Sequence, residues 1–270
     1  MCGIFGFALR NNVPIIKVFR VLQKLEVHQY PNEPRPVGGF GAGVAVLKKD
    51  GSVFLEKVGK ECAFSPVTCL SKKVSVDKAS FLVGHVRMPS PQFMETVKFK
   101  ETAQPYLTQC LTDLKIISAH NGNVTNYKAI REKLSAKHVF ESEKIELIDS
   151  EIIPHLFEEL LIEKTNPKEA LENLYQALEG PNTLSLLQIM PNRLLLHFVH
   201  KGKTRGLTVW KNDDEVVFCS RKEPLMEEFG DVLKKGGFRE QVSIPYGEEG
   251  NLKVTFHLSR LCKNLIRAYA

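Results

Sequence analysis

The chain has 270 residues, 43% hydrophobic and 25% charged, which excludes intrinsic disorder and allows a core that needs no disulfide or structural metal to fold. No apolar run approaches the roughly 20 residues needed to span a bilayer. The net charge of +6, from 37 basic and 31 acidic residues, is scattered along the chain, so neither a nucleic acid nor a membrane is expected as a partner.

In chain order, Cys2 to Leu9 reads as an opening strand. A helix from about Pro14 carries Ile15, Phe19, Leu22 and Leu25 at helical spacing. Tyr30 to Gly39, with three prolines and two glycines, is a long loop. Ala42–Leu47 and Val53–Lys57 flank an Asp50-Gly51 step and predict a hairpin. Ser80–Val86 and Leu114–Ala119 read as buried strands, separated by an irregular stretch with Pro89, Pro91 and Pro105.

Three helices are then expected. The first is capped by Asn126 and runs to about Leu134. The second is capped by Asp149 or Ser150 and carries Ile152, Leu156, Phe157, Leu160 and Leu161. The third starts at Asn166-Pro167-Lys168-Glu169 and stops at Gly180. Strands return at Leu184–Met190, Arg193–Val199, Gly206–Trp210, Val216–Ser220 and Val254–Leu258. Strands, then helices, then strands, without strict alternation, predict an α+β fold. The expected arrangement is two sheets face to face with helices outside. No linker or repeat divides the chain, so residues 1–270 are expected to form one domain.

The N-terminus lacks the basic and apolar regions of a signal peptide, and a cytoplasmic location is expected. The six cysteines (Cys2, Cys62, Cys69, Cys110, Cys219, Cys262) form no C-x-x-C pair and are expected to be reduced.

Cys2 carries the chemistry. Removal of Met1 would leave a thiol nucleophile and, on the same residue, an α-amine that titrates at about pH 7.7–8 and can serve as its base. By itself, a small residue at a strand start is more simply read as packing. Arg87 follows a strand in Gly84-His85-Val86-Arg87 and can grip a carboxylate bidentately, although a lone Arg is more often a surface group. His85 is read as a packing residue.

Asn121-Gly122 is a turn signal. Its side-chain amide and backbone N–H can also receive an oxyanion, each such donor being worth about 3–4 kcal/mol in the transition state. Asp149 in Asp149-Ser150-Glu151 can cap a helix or accept from a substrate ammonium. Together, Arg87 and Asp149 would clamp a free amino acid, Cys2 would attack its side-chain carbonyl, and Asn121 and Gly122 would hold the oxyanion. No H-x-x-x-H or H-E-x-x-H ligand set is present, so no metal and no cofactor are expected.

Met1-Cys2-Gly3-Ile4-Phe5-Gly6, Gly84-His85-Val86-Arg87, Ala103-Gln104-Pro105-Tyr106, Ala119-His120-Asn121-Gly122-Asn123 and Asp149-Ser150-Glu151 occur in the order found in the class II glutamine amidotransferases. These belong to the N-terminal-nucleophile hydrolases. The chain resembles that family over nearly its whole length. Its motif wording is closest to the amidotransferase domain of glutamine phosphoribosylpyrophosphate amidotransferase. Ser220 resembles the family's closing strand motif more loosely.

The resemblance implies an αββα sandwich and hydrolysis of glutamine to glutamate and ammonia through a thioester on Cys2. It also implies a carboxylate site at Arg87, an ammonium site at Asp149, an oxyanion hole at Asn121 and Gly122, and a substrate contact at Ser90. The family's aromatic residue after the clamp Arg is replaced by Met88-Pro89. Its Arg-Gly-x-Asp-Ser-x-Gly segment is replaced by Tyr30–Gly41, where Arg35 is a candidate substitute, and the stretch from Arg87 to Asn121 is long. With the chain stopping at Ala270, no fused synthase domain is expected, and a separate ammonia-accepting synthase is the expected partner. A different γ-glutamyl amide or peptide as substrate, or a non-catalytic glutamine-binding regulatory module, are the alternatives.

Overall fold

The computed structural model describes residues 2–61, 64–164, 166–191 and 193–258. Alternation of side chains along the first strand sets the layering. In β1 (Gly3–Pro14), Phe5, Phe7 and Leu9 point to one face and Ile4 and Ala8 to the other, each set joining a different apolar core. Helix α1 (Ile15–Val27) buries Val18, Phe19, Leu22 and Leu25 on the first of these faces.

The hairpin β2 (Gly41–Leu47) and β3 (Val53–Gly59) turns at Gly51, whose φ of 71° is the left-handed conformation expected of an Asp-Gly step. Helix α2 (Pro66–Lys73) starts where Ser65 Oγ accepts from Thr68 N, and β4 (Lys78–Val86) follows. After two short 3-10 turns come β5 (Tyr106–Thr108) and β6 (Lys115–Gly122). The helical middle comprises α3 (Tyr127–Lys133), α4 (Ile152–Lys164) and α5 (Pro167–Ala177). The remaining elements are β7 (Asn182–Met190), β8 (Arg193–Lys203), β9 (Leu207–Lys211), β10 (Val216–Cys219), α6 (Lys222–Lys235), β11 (Arg239–Ile244) and β12 (Glu249–His257).

A seven-stranded sheet runs β11-β9-β10-β1-β4-β2-β3, and a five-stranded sheet runs β12-β8-β7-β6-β5. The neighbouring strands pair antiparallel in both. The sheets face each other across a core that includes Ile4, Phe81, Ile117, Leu196, Phe198 and Phe218. Phe198 and Phe218 meet edge-on across it at 4.9 Å between ring centres. Helices α1, α2 and α6 cover the outer face of the larger sheet, and α3, α4 and α5 that of the smaller. The expected α+β, αββα sandwich is therefore the observed fold.

Asn126 stands at the N-cap of α3 as expected, and Leu134 at its C-cap. Other local expectations are corrected. Neither the Asn126 nor the Asp149 side chain makes a capping hydrogen bond. The Asn126 amide instead donates to Ala177 O and accepts from Glu179 N, and Asp149–Glu151 form a 3-10 turn leading into α4. Helix α5 does start at Asn166, whose Oδ1 accepts from Lys168 N. It ends at Ala177, before Gly180, because the chain then turns across the loop at Asn123 toward β7. Among the described residues, no helix is long and apolar enough to cross a membrane.

Candidate active site

The strand registers bring distant motifs to one end of the sandwich. Gly3 pairs with Val86, so Cys2 falls beside the segment that continues β4. The Cys2 thiol lies 3.4 Å from both Met88 O and Met88 N. A backbone N–H and a backbone C=O thus face the same sulfur and can serve it as thiolate or thiol. Ser220, just past β10, fixes the start of β1 from the other side: its Oγ accepts from Ile4 N at 3.1 Å and its N–H donates to Ile4 O at 2.9 Å. Met1 lies outside the described residues.

Asn121 and Gly122 end β6 in the opposite sheet. Asn121 is fully buried, and its Oδ1 accepts from Cys2 N at 3.1 Å. That orientation leaves Nδ2 buried with no hydrogen-bond partner among the described residues, which is costly for an amide unless a ligand supplies an acceptor. Gly122 has φ of 156°, and a Cβ there would stand 2.1 Å from Pro181 O, so only glycine lets the backbone pass this point.

Arg87 is buried and not a surface group. Its Nη1 donates to Thr102 Oγ1 at 2.6 Å and its Nη2 to Thr96 Oγ1 at 2.7 Å. Both threonines lie in the irregular stretch between β4 and β5. That stretch packs tightly on the hairpin: Gln104 O would be 2.3 Å from a Cβ at Gly43. The backbone of Arg87 is pinned to the end of the Tyr30–Gly41 loop, through Arg87 N to Gly41 O and Phe40 N to Arg87 O. No carboxylate pairs with its guanidinium among the described residues. Burial pushes its pKa down from the ordinary value, while the neighbouring Tyr106, Cys2 and Asp149 act the other way; a guanidinium stays protonated regardless.

The Asp149-Ser150-Glu151 motif makes three separate connections. Asp149 Oδ2 accepts from Val124 N at 2.9 Å. Ser150 Oγ meets His120 Nδ1 at 2.8 Å. Glu151 accepts from Glu141 N at 2.6 Å and Ser142 N at 2.8 Å. Asp149 is buried without a cationic partner among the described residues. It thereby ties the loop after Asn121-Gly122 to the start of α4.

His85 and His120 are buried structural histidines. His85 Nε2 meets His120 O at 3.2 Å, joining the two sheets behind the site. Burial pushes the His85 pKa down to about 3, and burial also lowers that of His120, so both rings are neutral near pH 7. Neither contacts the Cys2 thiol by any hydrogen bond among the described residues.

The structure therefore brings Cys2 and Asn121 into direct contact, with Gly122 adjoining, and sets Arg87 within electrostatic reach of Cys2 and Asp149. Ser90 is half-buried, and its carbonyl accepts from Phe93 N at the start of a 3-10 turn. No hydrogen bond joins its side chain to the other candidates among the described residues. Arg35 holds its place through its carbonyl, which accepts from Arg205 Nη2 at 3.3 Å. Sequence reasoning missed Thr96, Thr102 and the Met88 backbone. The spacing of the two threonines carries no signal, and a backbone contact leaves none.

The architecture places the chain among the N-terminal-nucleophile hydrolase folds. Two solved structures superpose over 96% of it, each at 18% identity and over 49% of its own length. They are the allosteric regulatory enzyme of purine biosynthesis, with a TM-score of 0.60, and glutamine phosphoribosylpyrophosphate amidotransferase from B. subtilis, with a TM-score of 0.56.

The family is fixed by sequence: residues 92–227, half of the chain, match the glutamine amidotransferase domain, and the chain belongs to that family, in its class II form. Among curated relatives, glutamine–fructose-6-phosphate aminotransferase (isomerizing) of Methanosarcina acetivorans is 29% identical over 92% of this chain and 37% of its own length. The enzyme of the same name from Thermotoga maritima is 31% identical over 88% and 36%, respectively. The chain spans about a third of the length of these relatives.

Proposed function

We propose that this domain is a glutaminase subunit in which Cys2, exposed as the N-terminal residue by removal of Met1, attacks the side-chain amide of L-glutamine. One observation carries the reading: Asn121 gives its carbonyl to Cys2 N, and the Nδ2 of the same amide is buried without a hydrogen-bond partner among the described residues. That nitrogen and Gly122 N–H are the donors for the oxyanion formed when the thiolate adds to the amide carbon. The Cys2 α-amine takes the thiol proton and returns it to the departing nitrogen, so ammonia leaves as the C–N bond breaks and a γ-glutamyl thioester remains. Water, deprotonated by the same amine, then releases glutamate.

Arg87 supplies the charge for the substrate α-carboxylate, and its two threonine contacts fix the plane of the fork. Asp149 Oδ2 accepts from Val124 N and Oδ1 from Ser150 Oγ at 3.3 Å; the second lone pair of Oδ1 is the acceptor for the α-ammonium. The chain acts as one amidotransferase unit, and its ammonia passes to a separate acceptor enzyme, in keeping with relatives named for the transfer of nitrogen from glutamine. Ser90 borders the site as a minor substrate contact.

Glutamate release from L-glutamine by Met1-processed protein, with Cys2→Ala and a homogeneous Met1-retaining preparation alongside, tests this. Turnover is expected only in the processed wild type. Turnover in Cys2→Ala would remove the nucleophile, and turnover with Met1 retained would remove the amine as base. Parallel assays with γ-glutamyl dipeptides would show a larger substrate by a higher kcat/KM.

A further inference from the structure

Away from the candidate active site, four side chains converge from three segments. Cys110 lies in the β5–β6 connection, His138 in the loop after α3, and His155 and Glu158 on α4 at i and i+3, which share one helix face. Their ligand atoms all lie within 4.8 Å of one another. His155 Nδ1 is 3.0 Å from His138 Nδ1 and 3.8 Å from Cys110 Sγ, and His138 Nδ1 is 3.6 Å from Glu158 Oε2. A tetrahedral ion with ligand distances of about 2.0–2.3 Å holds neighbouring donors roughly 3.3–3.6 Å apart. The observed spacings bracket that range.

We infer that Cys110, His138, His155 and Glu158 form a divalent-metal site suited to zinc. A thiolate, two imidazole nitrogens and one carboxylate oxygen are a borderline-soft set that matches this ion better than magnesium or calcium. The donors are already oriented. Glu158 Oε1 accepts from Cys110 N, Leu111 N and Thr112 N at 3.0, 2.9 and 3.3 Å, and Oε2, which shares Cys110 N at 3.2 Å, faces His138. His138 Nε2 lies 3.2 Å from Glu159 Oε1, a carboxylate placed behind a ligating ring.

Phe140 stacks on His155 with ring centres 4.0 Å apart and closes one side. Half-exposed Cys110 leaves the way in. On binding, the Cys110 S–H proton goes to solvent and the thiolate coordinates. The ion would clamp the first turns of α4, which continue directly from Asp149–Glu151, to the β5–β6 connection. Its role is thus structural, and it is distinct from the amide chemistry.

Cobalt(II) titration of the full chain in a Cys2→Ala background tests the site, because the nucleophilic thiol is then gone. One equivalent is expected to bind, with a thiolate charge-transfer band in the near ultraviolet and tetrahedral d–d bands in the visible. Zinc should displace it and raise Tm by on the order of 5 °C at a hundredfold excess over Kd. Cys110→Ser, a change at a half-exposed loop position, should lose the charge-transfer band, and His155→Gln should weaken binding at least tenfold. No cobalt bound at micromolar free metal, or an unchanged band in folded Cys110→Ser, would overturn the assignment.

Discussion

Two clusters of buried charge are built on opposite principles. Around Glu33, opposite charges are matched in direct ion pairs, with one positive charge in excess: the single carboxylate pairs with Arg221 and, at 3.3 Å, with Arg205. The Arg221 guanidinium also lies against the rings of Tyr30 and Tyr246, 4.4 and 4.8 Å from their centres, and the two ring centres are 5.8 Å apart. Around Arg87 and Asp149 there is no such matching. Each is held by neutral donors or acceptors alone. The first cluster holds its charges in direct ion pairs, although Nε and Nη1 of both arginines make no hydrogen bond among the described residues, and it fastens the Tyr30–Gly41 loop to the segments after β8 and β10. The second holds a cation and an anion that make no ion pair among the described residues. A buried charge left in that state costs stability, and a zwitterionic ligand is what would repay both at once.

The largest effect should come from breaking the matched cluster. Glu33→Ala leaves two buried guanidiniums without their carboxylate, and a loss of about 3–5 kcal/mol is expected, read as a fall in Tm and in the midpoint of denaturant unfolding. A small change there would mean that the contacts of Arg221 with the two tyrosine rings, and not the ion pair, hold the loop.

In the unmatched cluster the order of effects should reverse. Asp149→Asn keeps an oxygen for Val124 N, so stability should fall by about 1 kcal/mol or less. Glutamine affinity should drop by about 2–3 kcal/mol, some thirty- to more than a hundredfold, because the ammonium loses its counter-charge. Calorimetric titration and thermal melts on the same protein separate the two.

Acid should act on neither cluster first. His85 and His197 are held at a pKa of about 3 by burial. The unfolded chain, with ordinary histidines, binds protons at higher pH than the folded one. Stability from these two groups is therefore complete above about pH 6.5 and is lost as pH falls toward 3, at up to about 1.4 kcal/mol per pH unit for each. Denaturation midpoints between pH 7 and 5 should show this, and His197→Gln should reduce the slope.

Much of this contrast was legible in the sequence on one side only. Cys2, Arg87, Asn121, Gly122 and Asp149 stand in short motifs beside strand or helix ends, where local pattern points to chemistry. The two-sheet sandwich followed from the order of strands, helices and strands along the chain. Glu33 and Arg221, 188 residues apart, carry no pattern that pairs them, and neither do Cys110, His138 and α4.

Helix α6 was missed although Leu225, Phe229 and Leu233 recur every fourth residue. Pro224 and Gly230 argue against a helix there, yet Pro224 falls in the first turn, where the missing N–H is harmless. Strand β11 was missed because its edge position leaves it mostly exposed, with only Val242 in the core.

The most direct test of the account is L-glutamine binding to Cys2→Ala protein, which retains the clamp without turnover, compared with the same protein carrying Arg87→Met. The expected result is saturable binding in the first and at least a hundredfold weaker binding in the second. Tm in the absence of ligand should be unchanged or raised, because the substitution removes an unpaired buried cation and Thr96 and Thr102 keep their backbone acceptors. Equal affinity in the two proteins, or a collapse of Tm with Arg87→Met, would show that Arg87 is part of the scaffold and that the substrate carboxylate is held elsewhere.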